Sequence, residues 1–234
     1  MQSPRTVARL AGLLYLVLAA SGIFAHFVVR DSIYEPGNAT ATLENIVADA
    51  TLFRFALVAD IVMATAFVAL GVVLYLLLNH AGRQTATALV VFVCVGAGMI
   101  LLNLTFHYAA LLVATGEAYG SLAGVDNATL VLLLMDMHHY GYILAGVFFG
   151  LWLLPLGYLA RKSGYFPPLL GTLLIVAGGA WIVDTLVRFI APDLSEAVHF
   201  VLTLPTFAEF ALLLYLLIRG VRAPASVAPI PVTA

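Results

Sequence analysis

Apolar residues fill six long stretches of the chain: Val7–Val29, Leu52–Asn79, Ala86–Ala114, Thr129–Leu159, Pro167–Ile190 and Val198–Ile218. A bilayer core needs about 20 apolar residues per helix, and each stretch is long enough. Segments rich in Gly, Pro, Asn and charge separate them, at Arg30–Asn38, His80–Gln84, Gly116–Asn127, Arg161–Gly164 and Ala191–Glu196. Backbone groups in lipid have to be satisfied internally, so such stretches are helices. None alternates apolar with polar residues as a barrel strand would. The pattern predicts an all-α polytopic membrane bundle of six transmembrane helices. Residues 1–222 form its single domain, and a Pro- and Ala-rich tail, 223–234, is expected to be disordered.

Finer spacing adds elements to this outline. Leu43, Ile46, Val47 and Ala50 make one apolar stripe, which predicts a short helix near residues 40–50 lying on the outer membrane surface. Arg5 and Arg9 with Ala19-Ala20-Ser21 give the first stretch a faint look of a cleaved signal. Its apolar run continues to Val29, which favours a retained helix. Gly96/Gly98, Gly141/Ala145, Gly146/Gly150 and Gly178/Gly179 would let backbones approach closely, and the density of such pairs in the fourth helix places it centrally. Pro155 and Pro205 fall inside the fourth and sixth helices, and Pro205 is expected to kink the sixth.

Composition agrees: 63% of residues are hydrophobic and 9% charged, too little charge to cover a soluble surface. The net charge of −2 leaves no basic footprint for nucleic acid. The single cysteine, Cys94, excludes an internal disulfide. Arg5, Arg9, Arg83, Arg161, Lys162, Arg219 and Arg222 all fall on one side of the alternating helices. The positive-inside rule therefore predicts a cytoplasmic (inner) membrane protein with both termini cytoplasmic.

Ionisable residues within the spans are costly and mark candidate sites. Counting about 1.5 Å per residue from the outer ends, Asp60, His107, Asp136 and Asp184 lie roughly 9–12 Å deep on four different helices. His138 and His139 follow Asp136, and Glu209 sits deeper, at about 16 Å. Asn103 shares a face with His107, Asp184 with Arg188, and Asp136 with His139 and Tyr140. This predicts a polar chamber of Arg54, Asp60, Asn103, His107, Asp136, His138, His139, Tyr140, Asp184, Arg188 and Glu209 in the outer half of the bilayer. Four acids (Asp60, Asp136, Asp184, Glu209) against two arginines (Arg54, Arg188) leave two uncompensated negative charges. Protonation, an imidazolium or a bound cation would each answer that excess.

Several motifs together resemble the bacterial domain of unknown function 4386 family. They are Ala11-Gly12-Leu13-Leu14-Tyr15, Gly22-Ile23-Phe24-Ala25, Phe53-Arg54 with Ala59-Asp60, and Asp136-x-His138-x-Tyr140-Gly141. Phe148-Phe149-Gly150, Gly157-Tyr158-Leu159, Ser163-Gly164, Asp184 and Glu209 continue the series over nearly the whole chain. The resemblance implies a small polytopic membrane protein and no assigned activity. Trp152 stands where relatives carry His, so a ligand set using that His would be incomplete here.

Four readings of the chamber remain open. His107, His138 and Asp136 could bind a divalent metal and activate water in a hydrolase-like membrane enzyme. His107 with His138 or His139 could hold haem. Protonatable acids could serve a proton-coupled transporter or a receptor for a small molecule or lipid from the outer leaflet. Or the groups are a satisfied network that fixes helix packing, in a monomer or homo-oligomer.

Overall fold

The computed structural model describes residues 3–117 and 126–222. Seven helices account for it: α1 (Pro4–Ile33), α2 (Ala39–Ala48), α3 (Ala50–Ala81), α4 (Arg83–Ala114), α5 (Asn127–Lys162), α6 (Pro168–Ile190) and α7 (Pro192–Ile218). All but α2 are long and apolar enough to cross a membrane, as the hydrophobic pattern predicts. The expected disordered tail, 223–234, lies outside the described residues.

Local chemistry sets the helix ends. Ser3 accepts a hydrogen bond from the Thr6 amide, with Pro4 in the first turn of α1. Asn38 and Asp126 cap α2 and α5 in the same way, through the amides of Ala41 and Thr129. Gly220, at φ 72°, closes α7 in the left-handed conformation that glycine adopts freely. α5 is interrupted at Trp152 because Pro155 has no amide to offer the carbonyl of Leu151. The sixth span, by contrast, continues as one helix through Pro205.

The six spans form a ring in chain order, α1–α3–α4–α5–α6–α7, and α7 closes on α1. Gly12 of α1 lies against the backbone of Leu217 in α7, so both described termini share one end. The connections after α3 and α5 share that end too, since His80 packs on Tyr165 with ring centroids 4.8 Å apart. The Arg222 amide donates to the Tyr165 carbonyl at 3.0 Å. The α5 span is therefore one wall of the ring and not its centre, and the half before Trp152 leaves His139 and Tyr140 exposed.

Small residues set the tightest contact, between α5 and α6. A Cβ at Gly150 would stand 2.5 Å from the Gly178 carbonyl oxygen, and one at Gly157 2.5 Å from that of Gly171. Gly98 and Gly179, read from sequence as contact residues, have nothing within 4 Å of an added Cβ. The helix expected near 40–50 is α2 (Ala39–Ala48). It caps the bundle by burying Ile46 among Val29, Ile33, Phe53, Val131 and Met135. Asn45 donates to the Ile33 carbonyl and Thr42 to that of Glu35, which ties α2 to the end of α1.

Gly150→Ala and Gly157→Ala are each expected to lower the thermal midpoint in detergent, at a cost of about 1–3 kcal/mol for overpacking. Gly98→Ala and Gly179→Ala should leave it unchanged or raise it, since Ala is the better helix former. Equal effects at all four positions would contradict the α5–α6 contact described here.

Candidate functional site

The polar residues predicted as one chamber separate into groups. The most buried centres on a pair the sequence did not single out. α1 continues past Val29, and its stretch of π-helix, Phe24–Arg30, turns Arg30 inward. The Arg30 guanidinium grips both oxygens of Asp60, Nη1 to Oδ2 at 2.6 Å and Nη2 to Oδ1 at 3.1 Å. Both residues are nearly sealed from solvent, at 6% and 1% exposure. His26, one turn before Arg30, approaches Asp60 Oδ1 at 3.6 Å. Arg30, placed in a loop by the sequence pattern, is thus the buried cation of this region. Arg54 is not. It is an exposed residue that donates to Glu117 at 2.5 Å on the surface.

His107 and His138 adjoin this pair from α4 and α5. His107 stacks on Phe53, and its Nε2 donates to the Phe53 carbonyl at 3.0 Å. Asn103 donates to the His138 carbonyl at 2.7 Å, and His138 Nδ1 lies 3.2 Å from the Asn103 carbonyl. The bond to the Phe53 carbonyl places the His107 ring proton on Nε2, whereas His138 Nδ1 has both an acceptor, the Asn103 carbonyl, and a donor, Asn103 Nδ2 at 3.3 Å, beside it. The other nitrogens of the two rings are His107 Nδ1, which then presents a lone pair, and His138 Nε2. Together with His26 Nε2 and Arg30 Nε, they are buried with no hydrogen-bond partner among the described residues. Such atoms are uncommon in folded proteins.

The remaining groups lie apart. Asp136 accepts from the Tyr34 hydroxyl at 2.5 Å, near the exposed His139 and Tyr140. Burial, and then the bond to Asp136, push the Tyr34 phenol above its ordinary range, so it remains a donor. Asp184 pairs with Arg188 at 2.9 Å as the spacing predicts, and also with His199 of α7 at 3.0 Å, a contact between helices that spacing along one helix does not signal.

Two proposed ligand sets do not assemble. Among the described residues no three His, Cys, Asp or Glu side chains form a group that could hold a metal ion. Asp136 faces Tyr34 instead of joining His107 and His138. The His107 and His138 rings meet edge to face at 5.4 Å, which leaves no slab for a haem between them. His139 is exposed and does not replace either.

Glu209 belongs to a third setting. A cavity of about 130 Å³ has a wall from every span: Leu18 of α1, Met63 of α3, Ile100 of α4, Tyr142 of α5, Trp181 of α6 and Glu209 of α7. Six contributions of this kind put it on the axis of the ring. Glu209 is held there by Tyr15, whose hydroxyl donates to Oε2 at 2.7 Å, and by Trp181, whose indole N–H donates to Oε1 at 2.9 Å. Neither donor carries charge, and no Arg, Lys or His among the described residues pairs with Glu209. Trp152, where a ligating His was considered, is instead a buried aromatic wall of this cavity. Tyr142 joins the two polar regions, since its ring lies 4.0 Å from that of His26 while it also lines the cavity.

Breaking one half of a buried ion pair strands a charge, at about 3–5 kcal/mol, whereas replacing both halves by apolar residues is often neutral. Arg30→Met and Asp60→Leu are each expected to lower stability on that scale, and the double substitution to recover most of it. Denaturation of the detergent-solubilised variants measures this, and strictly additive losses would remove the pair from its central place.

No solved structure matches the chain. A stretch of 65 residues is 40% identical to an uncharacterized protein of Archaeoglobus fulgidus, covering 28% of this chain and 36% of that relative. The family model for the domain of unknown function 4386 matches residues 10–220. The motifs spread along the spans thus have their counterpart in a match over nearly the whole ring, and the chain belongs to the domain of unknown function 4386 family.

Proposed function

We propose that this protein is an intramembrane binding protein, a receptor or carrier whose small ligand occupies the axial cavity. The observation that carries the reading is the cavity itself, walled by all six spans and holding a carboxylate that no cation neutralises. A purely structural network would close on itself. Here four buried nitrogens beside Asp60 lack partners among the described residues, and Glu209 lacks a countercharge. Pockets that combine apolar walls with a few fixed polar groups are the usual form of small-molecule sites.

The same proposal places the ring in the cytoplasmic membrane with both termini cytoplasmic. The end that carries the termini also carries Arg5, Arg9, Arg83, Arg161, Lys162, Arg219 and Arg222, which supports that orientation. The Arg30–Asp60 cluster then lies toward the opposite face, from which a small molecule of the outer leaflet would approach.

Both tryptophans of the chain, Trp152 and Trp181, line the cavity, so intrinsic emission reports directly on occupancy. A cavity of about 150 Å³ accepts benzene, so benzene serves as the probe. It is expected to alter tryptophan emission and to raise the thermal midpoint of detergent-purified protein, as a ligand selective for the folded state does. Ile100→Phe, which fills the cavity, should abolish both effects. A wild-type protein indifferent to benzene in both measurements would overturn the binding reading.

A further inference from the structure

The lining chemistry says which ligand the axial cavity selects. Five of its side chains are aromatic, and their rings form a connected set. Tyr142 meets Phe149 at 5.4 Å between centroids, and Phe149 meets Trp181 at 5.9 Å and Phe67 at 6.3 Å. Phe67 in turn meets Trp152 at 5.1 Å. Aromatic faces attract cations through their quadrupoles, and several faces around one space make a cage for ammonium groups.

The charge pattern points the same way. Of Asp60, Asp136, Asp184 and Glu209, the four acids that the hydrophobic pattern places at depth, Asp60 has Arg30 and Asp184 has Arg188. Asp136 is bonded to Tyr34 near the exposed His139 and Tyr140. Glu209 faces the cavity with two neutral donors. The Trp181 N–H can only donate, so Oε1 acts as an acceptor. Tyr15 and Trp181 fill one acceptor position on each oxygen, and a carboxylate has about four. The unused ones are open to a ligand N–H.

We infer that the axial cavity binds a small alkylammonium cation, with its positive nitrogen against Glu209 and its alkyl groups against Tyr142, Phe149 and Trp152. The inference rests on the binding reading above and adds the charge of the ligand to it. A cavity of about 130 Å³ fits an ion of about five or six non-hydrogen atoms. The aromatic walls replace the ion's hydration and the carboxylate supplies the countercharge. A neutral molecule of the same shape gains only the apolar contact.

The pair tert-butylammonium and tert-butanol isolates that difference, because the two share a shape and both donate hydrogen bonds. Titration followed by tryptophan emission should give at least tenfold tighter binding of the cation to wild type. Glu209→Gln should remove that preference while leaving tert-butanol binding within about twofold. Phe149→Leu, which keeps an apolar wall and removes one aromatic face, should weaken the cation several-fold more than the alcohol. If Glu209→Gln does not fold, the wild-type ratio and Phe149→Leu decide alone. Benzene binding together with equal affinity for the cation and the alcohol would overturn the inference and leave the binding cavity standing. Indifference to all three probes would instead overturn the binding reading on which it rests.

Discussion

A charge buried inside a membrane-spanning bundle is costly because lipid offers it no partner, and the pairing of Arg30 with Asp60 answers that constraint. The bidentate grip joins the end of α1 to the middle of α3. It fixes the rotation of both helices about their axes. Once Asp60 faces inward, the next inward turns of α3 present Met63 and Phe67 to the ring axis. Once Arg30 faces inward, the chain leaves α1 where Tyr34 reaches Asp136 and Asn45 reaches Ile33. The lid formed by α2 follows from that exit.

The second constraint is steric. Glycines on α5 and α6 bring two backbones into direct contact, which narrows one side of the ring. The opposite requirement holds at the axis. Large side chains such as Phe67, Trp152 and Trp181 reach inward from different helices and do not fill the space completely. Lipid offers no hydrophobic gain for burying an apolar face, so close packing holds the ring together where backbones touch. The cavity remains where bulky rings meet around Glu209.

The polar groups accordingly divide by depth and by partner. Arg30, Asp60, His26, His107 and His138 form a buried cluster with spare hydrogen-bonding capacity. Asp184, Arg188 and His199 form a largely satisfied group at the α6–α7 edge. Glu209 occupies the axis in an aromatic setting, and Tyr142 touches both this site and the buried cluster. The molecule therefore has a polar cluster around Arg30 and Asp60 and, next to it, an aromatic region around a single acid, Glu209.

Much of the architecture was legible in the sequence, because hydrophobic length is a one-dimensional property and a bilayer converts it directly into spans. The six helices, the shared end of the termini, the short helix before α3 and the Asp184–Arg188 pair all follow from local spacing. The partners of Asp60 and Glu209 do not. Arg30 lies just past an apolar run, and only the continuation of α1 through its π-helical stretch brings it inward. The spacing of His26 and Arg30 on one face was the available signal. Arg54 sits within a run and yet points to Glu117 at the surface. Depth along a helix can be counted from sequence, but rotation about its axis is decided by packing against neighbours. The sequence by itself therefore determined the six spans and the acids they carry at depth, whereas the tertiary structure decided which polar groups face one another, bringing Arg30 in to Asp60 and leaving Arg54 at the surface.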